Sequence, residues 1–142
     1  CIEGLSYSHG SGADLAQTPR VSIIMPLYNK AEYTEKCLYA LAAHTGEDPD
    51  YEVIIVDNAS SDWTKYLLLA FEGDVEILRN DANVGFARAN NQGARSARGE
   101  YVLFLNNYTE PLDGWLREMV RLADSDERVE LSCRERRAWH AL

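Results

Sequence analysis

Most of the residues able to do chemistry fall in four short polar segments. They are Pro26-Leu27-Tyr28-Asn29, then Asp57-Asn58-Ala59-Ser60-Ser61-Asp62, then Arg79-Asn80 with Asn83-Val84-Gly85-Phe86, and finally Asn106-Asn107-Tyr108. A carboxylate such as Asp57 can accept a hydrogen bond from the N3–H of a pyrimidine, and Tyr28 can pack on a base. The amides of Asn58, Asn91 and Asn106 can bridge ribose hydroxyls or a diphosphate. Arg88 offers phosphate a planar fork of donors. Neither G-x-G-x-x-G after the first strand nor G-x-x-x-x-G-K-[ST] occurs, which disfavours a dinucleotide site and a P-loop. His9, His44 and His140 stand apart from any spaced carboxylate or Cys, so they read as structural or exposed.

Each of these residues also has an ordinary use. Asp57 at a strand end can cap the next helix. Tyr28 can be a packing aromatic, and Arg88 a solvated residue on an Ala-rich helix. Asn90 and Asn91 can bond their own backbone. Trp63 and Trp115, at helical spacing, read as core residues rather than as a stacking platform for sugars.

The elements that must position these segments are legible from periodicity. Val21-Ser-Ile-Ile-Met25 is an apolar run stopped by Pro26, the pattern of a buried strand. Residues 31–45 place Tyr33, Cys37, Leu38, Leu41 and Ala42 on one helical face. Glu52-Val-Ile-Ile-Val56 reads as a second strand, and residues 61–72 as a helix carrying Trp63, Tyr66, Leu67 and Ala70. Val75-Glu-Ile-Leu78 is a third strand, 85–97 a helix of small residues, and Tyr101-Val-Leu-Phe-Leu105 a fourth strand. A last helix, 113–123, is expected to turn Trp115, Met119 and Leu122 inward. Strands alternating with helices predict an α/β fold with a mainly parallel sheet of about four strands. In such a sheet ligands bind beyond the carboxyl ends of the strands, where all four polar segments fall.

The 142 residues suffice for one domain, which at this size buries roughly 70% of its unfolded surface. Residues 1–19 read as a flexible lead-in, 20–128 as the domain and 129–142 as an irregular or disordered tail. A net charge of −9 argues against nucleic-acid partners, which need clustered Lys and Arg. Cys1, Cys37 and Cys133 are odd in number and show neither zinc spacing nor a disulfide framework, which suits a reduced, cytoplasmic setting. No apolar run reaches the roughly 20 residues of a membrane span. The chain opens at Cys1 with no signal-peptide pattern and reads as a piece of a longer protein. An edge strand left unpaired predicts self-association.

Four segments carry a resemblance. They are Val21-Ser-Ile-Ile-Met-Pro-Leu-Tyr-Asn29, Val53-Ile-Ile-Val-Asp-Asn-Ala-Ser-Ser-Asp62, Asn83-Val-Gly-Phe-Ala-Arg-Ala-Asn-Asn-Gln-Gly93 and Gly99-Glu-Tyr-Val-Leu-Phe-Leu-Asn-Asn107. In this order they resemble family 2 glycosyltransferases of the GT-A fold, most of all the rhamnosyltransferase-like and galactofuranosyltransferase-like branch, over about Val21 to Leu122. The resemblance implies a Rossmann-like, nucleotide-sugar-binding half and a parent enzyme transferring a sugar from UDP or dTDP to a glycan acceptor with inversion, at the cytoplasmic face of the membrane. It implies that Pro26, Tyr28 and Asn29 line the base pocket, that Asp57 holds the pyrimidine with Ser60 and Asp62 nearby, and that Asn83, Gly85, Arg88 and Asn91 bound the ribose and diphosphate.

Two departures stand out. The resemblance implies Mg²⁺ or Mn²⁺ held by an Asp-x-Asp-like element after the fourth strand, often Asn-Asn-Asp in this branch, and here Tyr108 follows Asn106 and Asn107. A phenol with a pKa near 10 is a poor ligand for a hard cation. The acceptor half and the catalytic base also fall beyond the last residue, and nothing marks Asp113, Asp124 or Asp126 as that base. The expectation is therefore a fragment without activity of its own, with a pseudoenzyme that binds a UDP- or dTDP-sugar as the rival. A flavodoxin-like or regulatory domain is a further rival, but it would need a phosphoacceptor Asp cluster or a flavin loop, and neither is present.

Overall fold

The computed structural model describes residues 18–73 and 75–125. The expected lead-in and tail lie almost wholly outside them. Four strands, β1 (Val21–Leu27), β2 (Tyr51–Asp57), β3 (Glu76–Arg79) and β4 (Tyr101–Phe104), alternate with four helices, α1 (Ala31–His44), α2 (Thr64–Leu69), α3 (Phe86–Ser96) and α4 (Trp115–Ser125). All strand pairs are parallel and the spatial order is β3-β2-β1-β4. This is an α/β, Rossmann-like sheet.

Residue parity divides the sheet into two faces. Val21, Ile23, Met25, Leu27, Val53 and Ile55 pack with Cys37, Leu38 and Leu41 of α1, Leu67 and Leu68 of α2, and Leu116 and Val120 of α4. The opposite face receives α3 through Gly93, whose missing Cβ would stand 2.4 Å from Cγ2 of Ile24 and 3.2 Å from Cγ2 of Val56. Only Gly lets the helix backbone come this close. With helices on both sides, all seven residues of β1 are buried, and this accounts for its unbroken apolar run.

β1 does not stop at Pro26. It runs on to Leu27, with Pro26 in register with Val56. The Ile24 carbonyl accepts from the Leu105 amide, so residue 26 turns its nitrogen toward the same neighbour, past the end of β4. No ladder bond is lost, which is the condition under which a strand tolerates proline.

The sequence expectations need correction on three helical faces. Tyr33 is exposed, while Cys37, Leu38 and Leu41 of the same expected stripe are buried. α2 is shorter than residues 61–72, because residues 58–62 are tied into a loop, and Trp63 at its start is 46% exposed rather than in the core. On α4 the buried stripe is Leu116, Val120 and Ala123, with Met119 and Leu122 exposed. Its sequence offers two apolar stripes one residue apart. The indole N–H of Trp115 donates to Oγ1 of Thr45 at 3.1 Å, so Trp115 sits at the margin of the interface.

The amino end of the sheet is fastened by one buried carboxylate. Glu52 accepts from Oγ of Ser22 at 2.5 Å and from the Arg98 amide at 2.8 Å, Nε at 2.9 Å and Nη2 at 2.6 Å. The Gly99 amide in turn donates to Oγ of Ser22 at 2.8 Å. The cluster joins β1, β2 and the turn from α3 into β4, leaving the carboxyl ends of the strands to carry the polar loops.

Candidate functional site

The loops after β1 and β2 form one hydrogen-bonded unit. Oδ1 of Asn29 accepts from the amides of Ser61 at 2.7 Å and Asp62 at 3.2 Å, and the Asn29 amide donates to Oγ of Ser60 at 2.8 Å. Asp62 spans two helix starts, accepting from the Ala31 amide through Oδ2 at 3.2 Å and from the Thr64 amide through Oδ1 at 3.0 Å. Its partial withdrawal from water opposes ionisation, but bonds from Thr64, Ala31 and Lys30 outweigh this and hold its carboxyl below the usual range. Asn29, Lys30 and Ala59 all take left-handed φ values, 56°, 64° and 65°. Asn tolerates this region, whereas Lys30 and Ala59 each cost on the order of 1 kcal/mol. The cross-loop bonds hold them there.

Asp57 closes β2 opposite Leu27 and beside Arg79. It is 4% exposed, and its Oδ1 accepts from the Ser60 amide at 3.0 Å. Among the described residues no protein group bonds its Oδ2. The local-cap and ligand readings of Asp57 are therefore compatible: one oxygen shapes the turn and the other remains available. Tyr28, half exposed, follows Leu27 at the same rim, with Pro26 buried behind it.

Asn58 is the hub that joins this unit to the start of α3. Its Nδ2 donates to Oδ1 of Asn83 at 3.0 Å and, more weakly, to the Gly85 carbonyl at 3.4 Å. Its Oδ1 accepts from the Val84 amide and from Nδ2 of Asn80, both at 3.1 Å. Asn80 and Gln92 exchange a pair of amide bonds at 2.9 and 2.7 Å, locking the end of β3 to α3. Gln92 carries no signal of its own in the sequence beyond its place inside the 83–93 segment. Gly85, at φ 85° and ψ 161°, makes the entry into α3, a conformation strained for any side chain.

The first-turn amides of α3 lack carbonyl partners within the helix and carry its positive dipole end. Arg88 lies on this turn, exposed and without an ion pair among the described residues. Asn91 is on the outer side of α3, whereas its neighbour Asn90 is 8% exposed and its Oδ1 has no partner. Residue type alone could not separate the two; helix phase relative to Gly93 does.

After β4 the chain turns back through residues 106–109, with the Thr109 amide donating to the Asn106 carbonyl at 3.0 Å. Asn107 is buried toward α1, where its Nδ2 donates to Oγ1 of Thr34 at 2.9 Å. Cys37 lies against this turn, its Sγ 3.8 Å from the Asn106 carbonyl, and burial pushes its thiol up to about 12. Tyr108 points outward, 68% exposed, and its hydroxyl accepts from Nδ2 of Asn106 at 2.5 Å.

A divalent cation at the end of β4 does not fit these residues. Its loop presents two neutral amides and a phenol, Asn107 is buried toward Thr34, and Glu110 is a single exposed carboxylate. No group of three His, Cys, Asp or Glu among the described residues is arranged to hold a metal. Mg²⁺ and Mn²⁺ are hard ions that favour carboxylate and phosphate oxygens.

Comparison with known proteins bears on the fold and the family. AglE, a glycosyltransferase of Haloferax volcanii, is 38% identical over 105 residues, which cover 72% of this chain and 34% of AglE. The O-antigen biosynthesis protein RfbC of Myxococcus xanthus is 33% identical over 120 residues, 82% of this chain and 9% of RfbC. Among solved structures, the mannosyltransferase PcManGT of Pyrobaculum calidifontis, in complex with GDP-Man and Mn²⁺, superposes with a TM-score of 0.67 at 28% identity, over 74% of this chain and 32% of that one. S. aureus TarS 1-349 in complex with UDP-GlcNAc gives 0.68 at 24% identity, over 76% and 32%, a likeness of fold. The chain thus spans about a third or less of each of these proteins. No helix among the described residues is long and apolar enough to cross a membrane. Residues 22–140 match the sequence model described as Glycosyl transferase family 2, and the chain belongs to that family.

Proposed function

We propose that the carboxyl rim of this sheet binds a pyrimidine nucleoside diphosphate sugar, UDP- or dTDP-linked, and that the protein transfers the sugar with inversion to a glycan acceptor. Family membership supports sugar transfer, and the GDP-Man complex of PcManGT supports a nucleotide sugar as the ligand, the choice of a pyrimidine resting on Asp57. The observation that carries the reading is Asp57, a carboxylate withdrawn from water at a strand end with one oxygen unbonded. A buried acceptor of that kind suits the N3–H of uracil or thymine, with Tyr28 and Pro26 against the base. Asn83, Gly85, Arg88 and Asn91 take the ribose and diphosphate, and Asn106 the sugar end. Asn29, Asn58, Ser60, Asp62 and Asn107 are occupied by protein partners, and in this reading they shape the rim.

Inverting transfer needs a base for the acceptor hydroxyl. Asp113 is paired with His44, and Asp124 with Arg20 and Tyr101, so neither is assigned that role. A second reading, binding without transfer, is favoured by Tyr108. Transfer assays on the full-length protein and its Tyr108→Asp variant separate the two: transfer by the wild type supports the enzyme, and transfer by the variant alone or by neither supports the binding module.

Calorimetric titration with UDP and dTDP tests the main reading. Saturable heat from one of them, weakened about tenfold or more by Asp57→Asn, is expected. A folded sample that takes up neither nucleotide would overturn it.

A further inference from the structure

We infer that this chain holds its nucleoside diphosphate without a divalent cation, the diphosphate charge resting on the start of α3 and Arg88 instead of on a metal at the end of β4. The inference rests on the donor-site reading above and departs from the cation that the family resemblance implies. Three observations on separate elements carry it.

The first is the donor set after β4. The exposed position that would present a carboxylate is the phenol of Tyr108, whose hydroxyl accepts from Asn106 and ties up the amide nearest to it. Asn107 turns away to Thr34, and Glu110 lies beyond the turn, close enough to Cys37 to act on its thiol. Without a carboxylate at its tip a loop of this kind holds a divalent cation weakly, whereas the Tyr108 hydroxyl can hydrogen-bond an anion.

The second is the first turn of α3, an eleven-residue helix opened by Gly85. The amides of residues 86–88 point out of the helix start, where oriented N–H groups and the dipole favour negative charge. Lys30 and Arg88 are exposed rim cations without an ion pair among the described residues, whereas Arg79 is paired with Glu72. Arg88 sits on the helix start itself.

The third is Asn90. Its Oδ1 is buried without a partner, a state that ordinarily costs about 1–3 kcal/mol. Gly93 rests on Ile24 and Val56, and α3 runs back from the rim, so Asn90, one turn earlier on the same face, lies on the rim side of that contact. An acceptor held there unsatisfied would take a ribose hydroxyl once the side chain turns toward the rim, fixing the nucleoside while the helix start meets the phosphates.

Titration of the 142-residue chain with UDP, in EDTA and again in excess Mn²⁺, tests the inference. The affinities should agree within about threefold, and Arg88→Ala should lower both about tenfold or more. Y108D should bind UDP more tightly in Mn²⁺ than in EDTA, with protein-bound Mn²⁺ visible by electron paramagnetic resonance. Wild-type binding that is abolished by EDTA and restored by Mn²⁺ overturns the inference while leaving the donor site standing. The same holds if Glu110→Gln removes an Mn²⁺ signal present in the wild type. A folded chain that binds neither UDP nor dTDP in either condition overturns the donor site and this inference together.

Discussion

Replacing Asn58→Ala cuts the rim into two halves. Asn58 is almost fully buried and makes three good bonds, to Asn83, Asn80 and Val84, at 3.0, 3.1 and 3.1 Å, plus the weaker one to the Gly85 carbonyl. At about 1 kcal/mol net per bond the loss is bounded near 3 kcal/mol. The Asn80 and Asn83 side chains can turn to water once released, so about 2 kcal/mol is the expected destabilisation, or roughly 8 °C in Tm for a domain of this size. Affinity should suffer as well, because residues 83–88 must then be ordered by the ligand itself. Ordering a backbone costs about 1 kcal/mol per residue, so even two released residues lower nucleotide affinity by about tenfold or more. Thermal melts and UDP titration on the same preparation read both effects. A Tm within about 2 °C of wild type together with unchanged affinity would refute the role given to Asn58.

Other perturbations separate stability from binding. Glu52→Gln leaves a buried cluster with one acceptor oxygen for four donor contacts, so unfolding stability should drop by about 2–3 kcal/mol. UDP affinity should stay unchanged, and a variant that melts like wild type contradicts the fastening role. Asp62 has a carboxyl held below its ordinary value of 3.8, so its contribution is present above that pH and fades as pH falls through the lower folded value. Acid titration of stability should therefore be steeper for wild type than for Asp62→Asn, and equal acid limbs would contradict the helix-bridging account. β4 pairs only with β1 among the described residues, leaving an open sheet edge, so concentration-dependent self-association is expected in light scattering; a clean monomer at high concentration counts against it.

The fold was legible because each strand is a short apolar run ended by polar turn residues, and the alternation with helices allowed one architecture. Helix faces were less legible. On α4, Trp115, Met119 and Leu122 form as good a stripe as Leu116, Val120 and Ala123, and tertiary contacts decide between them. Trp63 looked like core by residue type, yet the Asn29–Ser61–Asp62 bonds end the loop so that it opens α2 half exposed. At the site, residue types identified the right loops but not the division of labour within them. Asn29, Asn58 and Asn107 turned out to hold backbone and neighbouring loops together, and Asn90 rather than Asn91 faces inward. Those distinctions depend on left-handed φ values and on helix phase, which spacing alone does not encode.

Amide chemical-shift mapping during UDP titration tests the central claim most directly. The largest changes should fall on Tyr28, on residues 57–62 and on residues 83–88, which meet at the carboxyl rim. Changes gathered instead on the groove of Arg20, Asp50, Arg117 and Asp124, at the opposite end of the sheet, would contradict it.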